Sequence, residues 1–254
     1  MDFQNKVVIV TGASGGIGAS AAILFASQSA KLVLVGRNET TLKEVAGKCE
    51  GIKGFKPLAI AADLTNDEDV KRIIVETIEH FDRIDVIVNN AGVGIRGCLR
   101  DGVHLLDRAM AINVRSAYLL TSLATPYLVK SKGNVVNVSS TAGIKPIKGV
   151  DYLPYCVSKA ALDQFTKCVA LELGTEGVRV NSVNPGGTKT AFAEAAGFNK
   201  EQTGQLYQEY SKTYPLRKMA TSEEVADVIL YLASDRASSI TGAIFVIDNG
   251  ELLT

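Results

Sequence analysis

The sequence predicts an α/β fold, a single doubly wound domain with a seven-stranded parallel sheet and helices on both faces. Three observations predict it. Short β-branched runs alternate with longer stretches of helical period, the pattern of repeated strand–helix–strand units. Those runs are apolar on both faces, as strands are when helices cover both sides of a sheet. A glycine-rich turn follows the first run directly. The 254 residues are enough for one such domain to bury about three quarters of the surface its unfolded chain exposes. No repeat, low-complexity tract or linker interrupts 1–254.

The strands are expected at Val7–Val10, Leu32–Val35, Leu58–Ala61, Val86–Val88, Val135–Val138, Val180–Val183 and Ile244–Ile247. Between them, Thr65-Asn-Asp-Glu68 and Thr221-Ser-Glu-Glu224 read as capping boxes that open helices. After the second, Val225, Val228, Ile229 and Leu232 form one apolar stripe. A helix is expected from Tyr155 to about Gly174 and another within Leu105–Tyr127. Residues 188–220 depart from this rhythm, with a short helix expected around Glu201–Ser211. Placed after a strand's carboxyl edge, where such sheets bind ligands, the segment reads as a substrate-binding lid within the domain.

Composition narrows the function. Acidic and basic residues balance at 27 each, which argues against nucleic acid or an anionic membrane as the partner. No apolar run is long enough to span a bilayer. Cys49, Cys98, Cys156 and Cys168 have no zinc-type spacing, and no metal site is indicated. Reduced thiols and MDFQNKVVIVTG, which runs straight into a strand, lead us to expect a cytoplasmic protein. His80 and His104 stand outside every motif and are expected to be structural or solvent-facing.

Three motifs carry chemistry. In Thr11-Gly-Ala-Ser-Gly-Gly-Ile-Gly18 the glycines lie between a strand and a helix. They permit a tight turn and close approach of a pyrophosphate to the free N–H groups of the helix start. Gly12, Ser14, Gly16, Ile17 and Gly18 are therefore candidates to bind a dinucleotide. The second expected strand ends in Gly36-Arg37-Asn38, with a guanidinium where an acidic residue would select NAD. Arg37 can pair with a 2′-phosphate, which favours NADP(H). Third, Tyr155 and Lys159 in YCVSK stack one helical turn apart. The ammonium is expected to draw the phenol from about 10 toward neutrality, making it a general acid/base.

With these motifs in order, the chain resembles the short-chain dehydrogenase/reductase family, of the ~250-residue NADP(H)-preferring type with a Rossmann-like fold. TGASGGIG at 11–18 is followed by Asp63-Leu64, Asn89-Asn-Ala-Gly92, Asn113, Ser139-Ser140, YCVSK, Asn184-Pro-Gly186 with Thr188 and Thr190, Ile240-Thr-Gly242 and Asp248-Asn-Gly250. The resemblance implies that Asp63 and Leu64 lie beside the adenine, with Asn38 near the same end, and that Asn90 contacts the adenosine ribose. Ala91 and Gly92 would line the floor of the cleft, and Pro185, Gly186, Thr188 and Thr190 the nicotinamide end. Asn113, Ser140, Tyr155 and Lys159 would be catalytic. Asn113 would hold a helix kink and a water, and Lys159 would also bind the nicotinamide ribose. Ser140 is chosen over Ser139 because it lies three residues before Gly143. Its gap to Tyr155 exceeds the family's usual one, so Ile144–Pro154 is expected to border the substrate, with Tyr152 as pocket wall or surface.

The activity implied is reversible hydride transfer between NADP(H) and a carbonyl or secondary alcohol. Phe192, Phe198, Tyr207, Tyr210 and Tyr214, with Ile144, Ile147 and Val150, suggest an apolar pocket for a steroid-like, isoprenoid or other hydrophobic ketone. Lys200, Lys212, Arg217 and Lys218 leave open a 3-oxoacyl thioester of acyl carrier protein or CoA. A catalytically silent, NADP-binding regulatory protein is the remaining alternative. Family members associate through the two long helices, which leads us to expect a homotetramer, with a dimer as the lesser assembly.

Overall fold

The protein is described by a computed structural model over residues 3–53, 55–147, 151–195 and 197–254. Its strands are β1 (Val7–Thr11), β2 (Lys31–Gly36), β3 (Leu58–Ala61), β4 (Val86–Asn89), β5 (Asn134–Val138), β6 (Arg179–Pro185) and β7 (Ile244–Ile247). They form one seven-stranded sheet in the order β3-β2-β1-β4-β5-β6-β7, with every pairing parallel. The chain winds outward from β1 to β3, then crosses back to place β4 beside β1. That reversal opens a crevice at the carboxyl ends of β1 and β4, where ligands bind doubly wound sheets.

The helices are α1 (Gly16–Ser27), α2 (Glu39–Lys53), α3 (Asp67–Phe81), α4 (Val103–Met110), α5 (Ser116–Ser131), α6 (Leu153–Leu173), α7 (Phe192–Ala195, one turn), α8 (Lys200–Thr213) and α9 (Ser222–Ala233). The period of the strands divides the core. Val8, Val10, Leu32, Leu34, Val86 and Val88 meet α1, α2 and α9, whereas Val7, Ile9, Val33, Val35 and Ile87 meet α3, α5 and α6. Each fully buried side chain of this kind contributes roughly 1.5–3 kcal/mol. No helix among the described residues is long and apolar enough to cross a membrane.

Local chemistry sets the element ends. Thr221 accepts from Glu224 N while the Glu224 side chain takes Thr221 N, the expected capping box, and Val225, Ile229 and Leu232 beyond it are fully buried. The other expected box does not form, and the cap moves on by one residue. The Asp63 carboxylate takes both the amide and the hydroxyl of Thr65, so Asn66 caps α3 instead. The helix carrying Tyr155 begins two residues early, at Leu153, because Pro154 fits a first turn that needs no N–H from it. The segment expected over Leu105–Tyr127 is two helices joined by a π-helical turn, Ala111–Arg115. Residues 188–220 return to their starting point: Thr188 and Ala220 form a parallel bridge, with Lys189 N donating to Ala220 O (2.9 Å).

Candidate active site

Gly12 (φ +64°) and Gly16 (φ +53°) turn the chain out of β1 in the left-handed region that favours glycine. A Cβ on Gly12 would lie 2.8 Å from Asn90 Nδ2, and one on Gly18 would lie 2.4 Å from the Gly12 carbonyl oxygen. Thr11 Oγ1 accepts from the amides of Asn90 and Ala91, both at 3.0 Å. Asn90 Nδ2 donates back to the carbonyls of Thr11 (2.9 Å) and Gly12 (3.3 Å). The two strand ends are thus tied together, and the Asn90 amide, expected beside a ribose, buttresses the glycine turn. No side chain caps α1, leaving its first N–H groups for an anion. Ser14 Oγ is buried without a hydrogen-bond partner beside Gly36, where a Cβ would come within 2.2 Å of it. A glycine cradle, an uncapped helix start and an orphaned hydroxyl together fit a dinucleotide.

Arg37 and Asn38 are exposed where β2 leaves the sheet. Asn38 Oδ1 accepts from Thr41 N (3.1 Å), capping the start of α2. Asp63 lies close by; its bonds from Thr65 hold its carboxyl below the ordinary value, helped by the Arg37 charge. Leu64 packs partly buried against the α3 core.

Asn113 sits in the π turn with its side chain engaged on two neighbours. Its Oδ1 accepts from Val93 N (2.8 Å), while Nδ2 donates to Val93 O (3.0 Å) and Ser158 Oγ (2.9 Å). Ser158 belongs to α6, so the turn is pinned to the helix that carries Tyr155 and Lys159. Ser139 Oγ donates to Lys159 O (3.1 Å), a structural bond. Ser140 Oγ accepts from Ala142 N (3.1 Å) and faces the Tyr155 phenol, drawing its pKa down. Behind them, Asn184 Nδ2 donates to Ser140 O (2.9 Å) and to Asp163 Oδ2 (2.8 Å). This buried bridge from β6 through α6, unread in the sequence, holds the serine's backbone in place.

The expected drop in the Tyr155 pKa does not occur. Burial pushes the phenol above its ordinary value, against the smaller opposing effect of Ser140. The Lys159 ammonium donates to Val138 O (2.9 Å) and lies 5.7 Å from the Tyr155 ring centroid. Its own burial lowers it to about 8. The four-residue spacing brings the groups near each other, and burial moves each of them toward its neutral form.

These groups border a cavity of about 370 Å³. Of the sequence-predicted residues, Gly12, Gly16, Ile17, Asn90, Ala91, Gly92, Ser140, Tyr155, Lys159, Pro185, Gly186, Thr188 and Thr190 line it. Asn113, Ser14, Gly18, Arg37, Asn38, Asp63 and Leu64 stand behind or beside it. Phe192, Phe198, Tyr207, Tyr210 and Tyr214 line it as expected, and the Phe192 ring lies 5.5 Å from that of Tyr155. Tyr152 forms a wall, 5.7 Å from Tyr155 between ring centroids. Ile147 also reaches the cavity. Ile144, by contrast, is half exposed and faces a separate groove, while Val150 lies outside the described residues. Glu251 lines the cavity without having been foreseen; its neighbours Asp248-Asn-Gly250 announce a turn and nothing about where it folds. His80 and His104 are exposed and away from the cavity.

The family model described as Enoyl-(Acyl carrier protein) reductase matches residues 12–251. Meso-2,3-butanediol dehydrogenase of Serratia marcescens is 35% identical over 98% of this chain and 96% of its own. The 3-oxoacyl-acyl-carrier-protein reductase of Thermotoga maritima is 33% identical over 98% and 99%. The solved structure of L-sorbose reductase from Gluconobacter frateurii, complexed with NADPH and L-sorbose, has a TM-score of 0.92. It is 29% identical and covers 100% of this chain and 99% of that one.

Proposed function

The chain belongs to the short-chain dehydrogenase/reductase family of oxidoreductases acting on alcohols and carbonyls, and from that premise we propose that it is an NADP(H)-dependent reductase of a largely hydrophobic ketone. The observation that carries this reading is Ser140, Tyr155 and Lys159 converging at the floor of an aromatic-walled cavity that opens onto the glycine cradle. The bound nicotinamide would supply or accept the hydride. The Ser140 and Tyr155 hydroxyls hold the carbonyl oxygen as negative charge develops on it. Tyr155, protonated at neutral pH because it is buried, donates its phenolic proton to that oxygen. Lys159 supports the phenolate that results, and Asn113 positions α6 through Ser158. In oxidation the same tyrosine takes the proton from the alcohol.

Arg37, exposed and without an ion pair among the described residues, favours a 2′-phosphate and hence NADP(H). We read 1–254 as one catalytic domain, with 188–220 as its lid and Phe192 over the reacting centre. Phe192, Phe198 and Tyr210 would take the hydrocarbon part of the substrate. The thioester reading is supported by the Thermotoga relative. Of the basic residues it needs, however, Lys218 is paired with Glu224 and Arg217 donates to Lys212 O. Four free thiols fit a cytoplasmic setting. Tyr118 on α5, 59% exposed and 5.4 Å from Phe165 of α6, offers a face for homotetramer formation.

The test is a spectrophotometric screen of ketones, diketones and 3-oxoacyl thioesters with NADPH and with NADH. We expect ketone turnover with NADPH preferred. Turnover only on thioesters would transfer the reading to the runner-up, and cofactor binding without turnover would support the silent protein.

A further inference from the structure

Among the described residues, one acidic side chain lines the cavity, and the hydride-transfer chemistry does not use it. β7 ends in a tight reversal through Asn249 (φ 54°) and Gly250 (φ +88°). The Asp248 carboxylate secures it, accepting from Gly250 N (2.9 Å) and Leu252 N (2.8 Å). Pro215, at the end of the 188–220 segment, packs on Gly250 so closely that a Cβ there would come within 2.6 Å. This reversal drives the Glu251 side chain inward. Its Oε2 accepts from Gly187 N (3.2 Å) and from the Thr141 hydroxyl (3.3 Å), the residue next to Ser140. Gly186 leaves room for it: a Cβ at that position would lie 2.3 Å from Oε2. The Tyr214 phenol donates a third hydrogen bond to the carboxylate. Glu251 is therefore built into the wall between the serine and the nicotinamide-end turn.

A carboxylate offers about four acceptor positions. The Gly187 amide, the Thr141 hydroxyl and the Tyr214 phenol take three of them, which leaves about one for a ligand, and no cation among the described residues pairs with the group. Burial accordingly pushes its carboxyl above the ordinary value. A partly buried acceptor beside the aromatic wall of the cavity favours a ligand that brings a donor and disfavours one that brings a carboxylate. A hydroxyl meets this at lower desolvation cost than an ammonium, and the upward pKa displacement weakens the pull on a cation.

We propose that Glu251 is a specificity-determining residue that accepts a hydrogen bond from a hydroxyl of the substrate, so that the compound reduced is a hydroxyketone. The inference rests on the ketone-reductase reading and deepens it. The carbonyl is held at Ser140 and Tyr155, the hydrocarbon lies along Phe192 and Tyr210, and a second oxygen is held by Glu251.

The experiment compares kcat/KM for matched ketones with and without a hydroxyl, such as acetoin against butanone, with the hydroxyl moved stepwise along longer chains. It uses the full-length enzyme, Glu251→Gln and Glu251→Leu. We expect the wild type to favour the best-placed hydroxyketone by about 10- to 100-fold, the range for one hydrogen bond to a charged group. Glu251→Leu should erase that ratio, mainly through KM, and Glu251→Gln, which keeps an acceptor, should retain part of it. Because the readout is a ratio on one enzyme preparation, partial misfolding does not alter it. No hydroxyl preference in the wild type, or a preference that survives Glu251→Leu, would overturn the proposal while leaving ketone reduction intact. Selection of aminoacetone over hydroxyacetone would also overturn it, in favour of a cationic substrate. If no ketone is turned over, the ketone-reductase reading fails separately. Calorimetric titration of matched diols and alcohols with NADP then decides the Glu251 claim by the same ratio: loss in Glu251→Leu supports it, and equal binding overturns it.

Discussion

The nucleotide side and the substrate side of the cleft are built by different means. Around β1, β4 and the start of α1, backbone approaches backbone: Gly18 is stacked under the Gly12 carbonyl, and Asn90 and Thr11 exchange hydrogen bonds across the strand ends. Across the cleft, side chains from distant segments make the surface, Tyr152 from before α6, Phe192 and Tyr210 from 188–220, and Glu251 from beyond β7. At Gly12 and Gly18 the first side has no room for a side chain. The second can be changed one side chain at a time without disturbing the sheet. One fold can thus keep its cofactor geometry while its substrate varies.

That contrast can be broken or sharpened by mutation. The largest effect belongs to the backbone side. Gly18→Ala forces a methyl group against the Gly12 carbonyl and Asn90, an overpacking of about 1–3 kcal/mol, and cofactor affinity measured by calorimetry should fall by about 5- to 150-fold. Arg37→Asp removes a guanidinium and adds a repulsive carboxylate, so the NADP/NAD ratio of kcat/KM should fall by about 10- to 100-fold. An unchanged ratio would remove Arg37 from the site. On the substrate side, Phe192→Ala should raise ketone KM by about tenfold, the worth of roughly 1.5 kcal/mol of apolar contact. The cofactor dissociation constant should stay within about twofold of wild type, since independent sites add with little coupling.

The smallest of these effects is in pH. With Tyr155 held above its ordinary value, the phenol keeps its proton at neutral pH and can donate it. Reduction should therefore be flat there and fall at alkaline pH, while alcohol oxidation, which needs the proton gone, should rise several-fold. Rates that rise with pH in both directions would contradict the assignment of Tyr155 as the donor.

The same contrast explains what could be read in advance. Leu58–Ala61 and Ile244–Ile247 are strands to the residue, because short apolar runs between turns are local signals. The glycine turn and the Tyr155–Lys159 spacing are local too. Whether the pair is desolvated is not, and the direction of the Tyr155 shift depends on burial by elements far along the chain. Asn66 displaces Thr65 as a cap because Asp63 reaches Thr65 first, a competition that spacing alone does not rank. Glu251 bonds Thr141 from 110 positions away. Nothing in Asp248-Asn-Gly250 beyond a turn signal indicates that contact, so Glu251 stayed hidden while the aromatic lining from Tyr152 and 188–220 was legible.

The central claim is that Tyr155 moves the proton and has little to do with holding the cofactor. It is tested by Tyr155→Phe, measured for NADPH affinity by calorimetry and for single-turnover reduction of a verified ketone. The account predicts an unchanged dissociation constant within about twofold and a rate lower by about 10²- to 10⁴-fold. A variant that binds NADPH normally and keeps most of the wild-type rate would contradict it.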